Sequence, residues 1–105
     1  MDYREFLKLA DTALIDDSLV IDVPDATLDG VKVKGEIRIL ADRAVIRRCS
    51  ADTITVCGAA NVLIAQSTSD GIKMSDCFNC SVVLNETNSL SVKDSRNVYV
   101  IDNKG

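Results

Sequence analysis

Asn61-Val62-Leu63-Ile64-Ala65-Gln66-Ser67-Thr68-Ser69-Asp70-Gly71-Ile72-Lys73-Met74-Ser75-Asp76-Cys77-Phe78 is the stretch on which the reading of this chain turns. It holds two short runs of alternating character, Asn61 to Ile64 and Gly71 to Met74, separated by polar turn formers. Alternation with period two, bounded by Asn, Asp, Gly and Ser, marks half-buried strands. The pattern then repeats every 18 residues, so that Ala44, Val62, Cys80 and Val98 fall in one column and Ile46, Ile64, Val82 and Val100 in another. Ile54, Ile72 and Leu90 form a third column, beside Val56, Met74 and Val92. Towards the N-terminus Leu19 and Ile21 precede Ile37 and Ile39 by 18, and Ala26 and Leu28 precede Ala44 and Ile46 by 18. A one-residue slip separates Ile37 from Ile54.

Rows that each carry two strands, stacked at about 4.8 Å, enclose one narrow core between long parallel sheets. The expectation is an all-β fold, a parallel β-solenoid of four to five coils. A left-handed hexapeptide helix also takes 18 residues per coil, but it needs apolar residues on its third side, and here Ser67 to Asp70 and Asn85 to Asn88 are polar. A right-handed β-helix is therefore expected. Composition agrees: Val, Ile and Thr make up 27 of 105 residues, while aromatic residues are only 4%. A core so rich in β-branched side chains suits strands. The length allows one domain, read as a helical cap over residues 1–16 and a β-helix over 17–105.

Several function classes lose ground at once. The net charge of −4 disfavours general nucleic-acid binding. No apolar run approaches a membrane span, and the acidic start Met1-Asp2-Tyr3-Arg4-Glu5 is no signal peptide. The chain has no His, the commonest general base and metal ligand. No Cys-His or Ser-His pair, phosphate-binding loop or dinucleotide fingerprint is present, so no catalytic residue is assigned and no enzyme is expected. Charge is uneven: residues 1–31 hold eight acids and two bases, and residues 32–48 hold six bases and two acids. Such asymmetry points to complementary surfaces within one fold or between subunits.

Asn61, Asn79 and Asn97 share a turn column. Tight corners need left-handed backbone angles, which Asn tolerates, and stacked amides can hydrogen-bond from coil to coil. They are read as such a ladder. Asp52, Asp70 and Asn88 form a second column, in which Asn88 breaks any acidic series for calcium; these too are read as turn residues. The four cysteines, Cys49, Cys57, Cys77 and Cys80, include a Cys-x-x-Cys. In the column grid Cys80 points inward, Cys77 lies at a turn and Cys57 faces outward, so they diverge too far for zinc and are expected to be free thiols in a reducing cytoplasm. No cofactor or metal is assigned. The sequons Asn79-Cys80-Ser81 and Asn85-Glu86-Thr87 have no meaning without secretion.

Asn88-Ser89-Leu90-Ser91-Val92-Lys93-Asp94-Ser95-Arg96-Asn97-Val98-Tyr99-Val100 resembles a coil of the C-terminal β-helix of adenylyl-cyclase-associated proteins, a domain grouped with tubulin cofactor C. Ser75-Asp76-Cys77-Phe78-Asn79-Cys80-Ser81-Val82 is similar to turns of the same superfamily, and the resemblance covers about residues 37–103. It implies a right-handed β-helix and, by analogy, cytoskeletal binding. Cofactor C members stimulate a GTPase with an arginine in a Gln-x-Arg segment. The only Gln here, Gln66, is followed by Ser67 and Thr68, so that activity is not carried over. Pectin-cleaving and phage tailspike β-helices share the general pattern, but they are longer and build a cleft from loops that this chain lacks.

The grid also assigns outward faces. Thr55, Lys73, Ser75, Ser91 and Lys93 make one face polar. The other carries Val45, Leu63, Ser81 and Tyr99 beside Arg47, Ala65, Val83 and Ile101, a mostly apolar stripe of the kind that marks an interface. Val45, Arg47, Leu63, Ala65, Val83, Tyr99 and Ile101 are the candidate interface residues. A helix over residues 2–14 would set Tyr3, Phe6, Leu7, Ala10, Ala13 and Leu14 on one side, suited to closing the first coil or to covering the stripe. The last row, Asn97 to Gly105, is still in repeat and shows no capping helix, which leaves an edge for a partner. The resulting expectation is a non-enzymatic, self-associating protein-binding or scaffold module. The alternatives are a phage or viral inhibitor binding a host protein through an acidic or apolar surface, and a reduced hydrolase or lyase. The partner is expected to be protein, a second copy or a host protein, with neither nucleic acid nor membrane.

Overall fold

The computed structural model describes residues 1–8 and 14–104. A short helix, α1 (Tyr3–Leu7), leads into β1 (Leu14–Ile15), β2 (Leu19–Ile21), β3 (Thr27–Asp29), β4 (Lys32–Val33), β5 (Glu36–Ile39) and β6 (Val45–Arg47). Then come β7 (Ser50–Cys57), β8 (Leu63–Ala65), β9 (Thr68–Ser75), β10 (Ser81–Val83), β11 (Glu86–Lys93) and β12 (Tyr99–Ile101). Every strand pairing is parallel. The chain is a β-solenoid of about five coils with a spacing of roughly 18 residues. Among the described residues no helix is long and apolar enough to cross a membrane.

The register reproduces the sequence columns. Ile46, Ile64, Val82 and Val100 are stacked partners, as are Ile54, Ile72 and Leu90. Their inward side chains build a core of Ile, Leu and Val in which Leu19, Ile37, Ile46, Ile54, Ile64 and Val82 are fully buried. The one-residue slip is a bulge. Lys32 pairs with Ser50 but Glu36 pairs with Thr53, so the upper coil carries one extra residue at Lys34–Gly35. Gly35 sits tightly there: a Cβ would come within 3.2 Å of the Ser18 Cα and N.

The coil has three sides, not two strands and a turn. The five-stranded sheet β3-β6-β8-β10-β12 forms one side. The seven-stranded sheet bends round the other two, because β7, β9 and β11 run unbroken through the bend that separates β4 from β5. The third side, β1, β4 and the first residues of β7, β9 and β11, sends Ile15, Val33, Ala51, Ser69 and Thr87 inward in successive coils. This column changes from apolar to polar along the axis, and its last members gave that side its polar look. Ser69 and Thr87 are nevertheless buried, with the Ser69 hydroxyl donating to Thr87 Oγ1 at 3.5 Å.

Corners turn on left-handed residues: among the described residues eleven non-glycine positions have positive φ. Asp25, Arg43, Asn61, Asn79 and Asn97 share the first corner, Arg48, Gln66, Leu84 and Asp102 join Gly30 at the second, and Asp76 and Asp94 join Gly58 at the third. The asparagine column is therefore a set of left-handed corners, but not a side-chain ladder. Among the described residues its coil-to-coil bonds come from the backbone, with Asn61 N–H donating to Phe78 O and Asn79 N–H to Arg96 O. The amide ladder lies inside instead. Ser67 N–H donates to Asn85 Oδ1 at 2.9 Å, and both Asn85 N–H and Nδ2 donate to Asn103 Oδ1 at 3.0 Å. Asn85 Nδ2 also donates to Ile64 O, and Asn103 Nδ2 to Val82 O.

The helix is shorter than the sequence suggests. Leu14 opens β1 and is exposed, Leu7 is exposed, and Ala10 and Ala13 lie outside the described residues. Met1, Tyr3 and Phe6 do pack on the core.

Candidate functional site

At the N-terminal end of the solenoid the described residues cover the edges of β2 and β3. Val20 N–H donates to Met1 O, and Asp2 forms a parallel bridge with Val20 over the edge of β2. At the edge of β3 the Tyr3 hydroxyl donates to Thr27 O at 3.2 Å and accepts from Thr27 N–H at 3.1 Å. The described helix thus covers the end of the coil and not the outward stripe. Below it, the charge asymmetry resolves within the fold. Arg43 makes two bonds to the Asp25 carboxylate of the previous coil, Arg48 two to Asp29, and Lys34 lies 3.3 Å from Asp16. The Arg43 and Arg48 guanidinium groups hold the carboxyls of Asp25 and Asp29 below the usual range.

The expected interface residues stand on one side in two registers. Val45, Leu63, Ser81 and Tyr99 pair in sequence, and so do Arg47, Ala65, Val83 and Ile101. Exposure rises along the stripe. Ala65 is buried, Val45, Leu63 and Val83 are half-buried, and Tyr99 and Ile101 are 58% and 51% exposed. Arg47 is exposed among them. Leu84, on the neighbouring left-handed corner, widens the patch.

At its far end the stripe meets the last described coil, residues 85–104. Val92 and Val100 continue core columns, yet they are 39% and 46% exposed. The backbone groups facing out of this coil follow from the bonds that link earlier coils. Asp76 N–H donates to Lys93 O, Asn79 N–H to Arg96 O and Leu84 N–H to Ile101 O. Their counterparts one coil on are the N–H groups of Asp94, Asn97 and Asp102. Arg96, Tyr99 and Lys104 N–H donate to Cys77, Cys80 and Asn85 O, and the counterpart carbonyls are those of Ser95, Val98 and Asn103. Among the described residues no further coil pairs with these groups, nor with the outer edge of β12. Column arithmetic placed Val100 under Val82; what it did not convey was that the same position would become surface.

A depression of about 590 Å³ follows the bend of the seven-stranded sheet. Asp52, Asp70 and Asn88 lie inside β7, β9 and β11 and line it, together with Thr68, Glu86 and Lys104. They are bend residues of strands and not turns. Asn88 Nδ2 donates to Asp70 Oδ1 at 2.8 Å, which ties two of them together. The depression is open and its charged residues are exposed. No group of His, Cys, Asp or Glu side chains placed to hold a metal ion occurs among the described residues.

All four cysteines are free, and Cys77, at its turn, is buried along with Cys49 and Cys80. Its thiol donates to Ser75 O and Val56 O. Burial pushes the thiols of Cys49 and Cys77 upward, which makes them poor nucleophiles. No family model, curated protein or solved structure matches the chain.

Proposed function

We propose that this chain is a non-enzymatic protein-binding or scaffold module that associates with itself. The observation that carries the reading is the apolar stripe from Val45 and Leu63 to Tyr99 and Ile101, which the described helix leaves uncovered and which grows more exposed along the axis. Apolar surface of this kind costs about 25 cal/mol for each Å² left in water, and a contiguous patch on a small domain is the usual sign of an interface. The acidic surface invoked for a host-binding inhibitor is in part neutralised by Arg43, Arg48 and Lys34. The open depression offers a hydrolase no buried acid or base.

Light scattering behind gel filtration tests the proposal. The wild type should run heavier than its single-chain 11.4 kDa and fall towards that mass on dilution. Leu63→Lys, Val83→Lys and Tyr99→Lys together should bring it to single-chain mass at every concentration. A wild type that stays single up to millimolar concentration, unchanged by the triple substitution, would overturn the reading.

A further inference from the structure

We infer that the stripe receives a second copy of this chain in one orientation, face to face across a two-fold axis with the two solenoids antiparallel; this rests on the self-association proposed above and states how the same surface is used. The occupant and its orientation follow from the charges that flank the stripe.

A patch that binds its own copy must be self-complementary about a two-fold axis lying in the plane of contact. Along the stripe β6, β8, β10 and β12 follow one another at about 4.8 Å. At the β6 end Arg47 stands in the outward register, and Asp42 lies three residues ahead of Val45, just before the first corner. At the β12 end the signs are exchanged. Arg96 lies three residues ahead of Tyr99, and Asp102 occupies the left-handed corner directly after Ile101. All four side chains are exposed, and among the described residues none of them belongs to an ion pair. The Asp42 carboxylate is held in place by accepting from Ala60 N–H at 2.9 Å.

Turning one copy about an axis parallel to the strands, midway between β8 and β10, sets β6 of each copy against β12 of the other. Each Arg47 then meets Ile101 and Asp102 of the second copy, and each Asp42 meets its Arg96. Two contacts of each kind give four unlike pairs around the patch. At the centre Leu63 faces Ser81 of the second copy, and Ala65 faces its Val83. Apolar residues in the middle and charges at the edge are the division found in specific interfaces.

The other two-fold axis, along the solenoid, keeps every coil against its own counterpart. It too brings unlike charges together at the flanks, with Asp42 towards Arg48 and Arg96 towards Asp102. However, it sets the two Arg47 side chains beside each other near the axis, inside the apolar contact. Like charges taken out of water in that way oppose association. The antiparallel arrangement separates them by three coil steps, about 14 Å, and leaves each at the rim beside an acid. Arg47 therefore decides the orientation.

Charge exchange between two variants tests it. The wild type should reach twice 11.4 kDa and stop there, and its pairing should weaken with added salt. Arg47→Glu alone and Asp102→Lys alone each place like charges at both symmetric contacts, and each should weaken pairing at least about tenfold in light scattering across a dilution series. In an equal mixture the substituted site of each copy meets the substituted site of the other, and the two untouched residues meet as in the wild type. Native mass spectrometry should then show mixed pairs in excess of either like pair. If far-UV circular dichroism finds either variant unfolded, Asp42→Lys and Arg96→Glu make the same exchange at the other flank. A wild type that pairs through the stripe but shows no preference for mixed pairs, or whose pairing ignores salt, overturns the antiparallel arrangement and leaves self-association standing. A wild type that is single throughout overturns both.

Discussion

Val82 and Val100 occupy the same position in consecutive coils, point the same way and carry the same side chain, yet Val82 is fully buried and Val100 is 46% exposed. The difference comes from what lies below each of them. In a stacked fold the hydrophobic contribution of a residue is set by the next coil, since each repeat buries its apolar face only against a neighbour. Interior coils therefore resemble the core of a globular domain, and the last coil resembles a surface that happens to have a core sequence.

The sharpest way to break this comparison is to place a charge at both positions. Val82→Asp buries a carboxylate with no partner and should cost about 4 kcal/mol or more, a large part of the stability of a small domain. Val100→Asp leaves its carboxylate partly in water and should cost about 1 kcal/mol or less when measured dilute. Urea unfolding of the two variants reads the gap. Equal losses would mean that the last coil is covered in the folded monomer.

The internal amides give a second, smaller contrast. Asn85 is buried and accepts from Ser67 N–H while donating to Ile64 O and Asn103 Oδ1. Asn85→Ala strands these groups away from water and should cost about 2–3 kcal/mol. Asn103→Ala, at the open end, should cost about 1 kcal/mol, because water replaces the lost bonds. If both cost the same in urea titration, the ladder is as dry at its last rung as in its middle.

Much of this architecture was legible because an 18-residue period runs through the inward columns, broken once by the 17-residue step from Ile37 to Ile54. The third side was not legible, since Ser69 and Thr87 look like turn residues until Ile15, Val33 and Ala51 are seen stacked above them. The ladder was assigned to the wrong asparagines for a related reason. Asn61, Asn79 and Asn97 advertise themselves by chemical identity, whereas the functional column runs Ser67, Asn85, Asn103 and continues upward as Cys49 and Val31. Composition cannot show whether a polar side chain points in or out. The outward stripe was readable from alternation alone, but its exposure was not, since Ala65 is buried while Tyr99 and Ile101 are exposed on the same side. The depression along β7, β9 and β11 arises from a bend in the strands, for which alternation carries no signal.

Corner chemistry supplies effects of about 1 kcal/mol in both directions. Asn79 sits at a φ of 56°, and Asn79→Ala should destabilise by about 1 kcal/mol, because alanine tolerates left-handed angles poorly and no side-chain ladder adds to the loss. Leu84 has the same φ of 56° with a side chain suited to neither the angle nor the solvent. Leu84→Gly should relieve backbone strain and raise stability by up to about 1 kcal/mol, offset in part by the entropy of a more flexible unfolded chain. Thermal unfolding of the two single variants decides. A loss on Leu84→Gly would mean that the exposed leucine contributes contacts that outweigh its strain.

The smallest expected effect separates the two ends by pH. Asp25 and Asp29 accept from Arg43 and Arg48, hydrogen bonds that place their folded-state carboxyls below the usual range. A depressed folded value means that the stabilisation is fully present above the unfolded carboxylate value of about 4. It is lost as pH falls through the lower folded values, when protonation removes the ion pairs. Because these pairs are exposed, salt screens them and the effect on the midpoint is slight. Asp25→Asn with Asp29→Asn should therefore lower the thermal midpoint a little at neutral pH and low salt, and converge on the wild type towards strongly acid pH. The matching change in the last coil, Asp94→Asn with Asp102→Asn, removes no ion pair and should show no such convergence when measured dilute. If the two doubles trace the same pH curve, the first coils owe nothing to their arginine braces, and the electrostatic half of the contrast between the two ends falls.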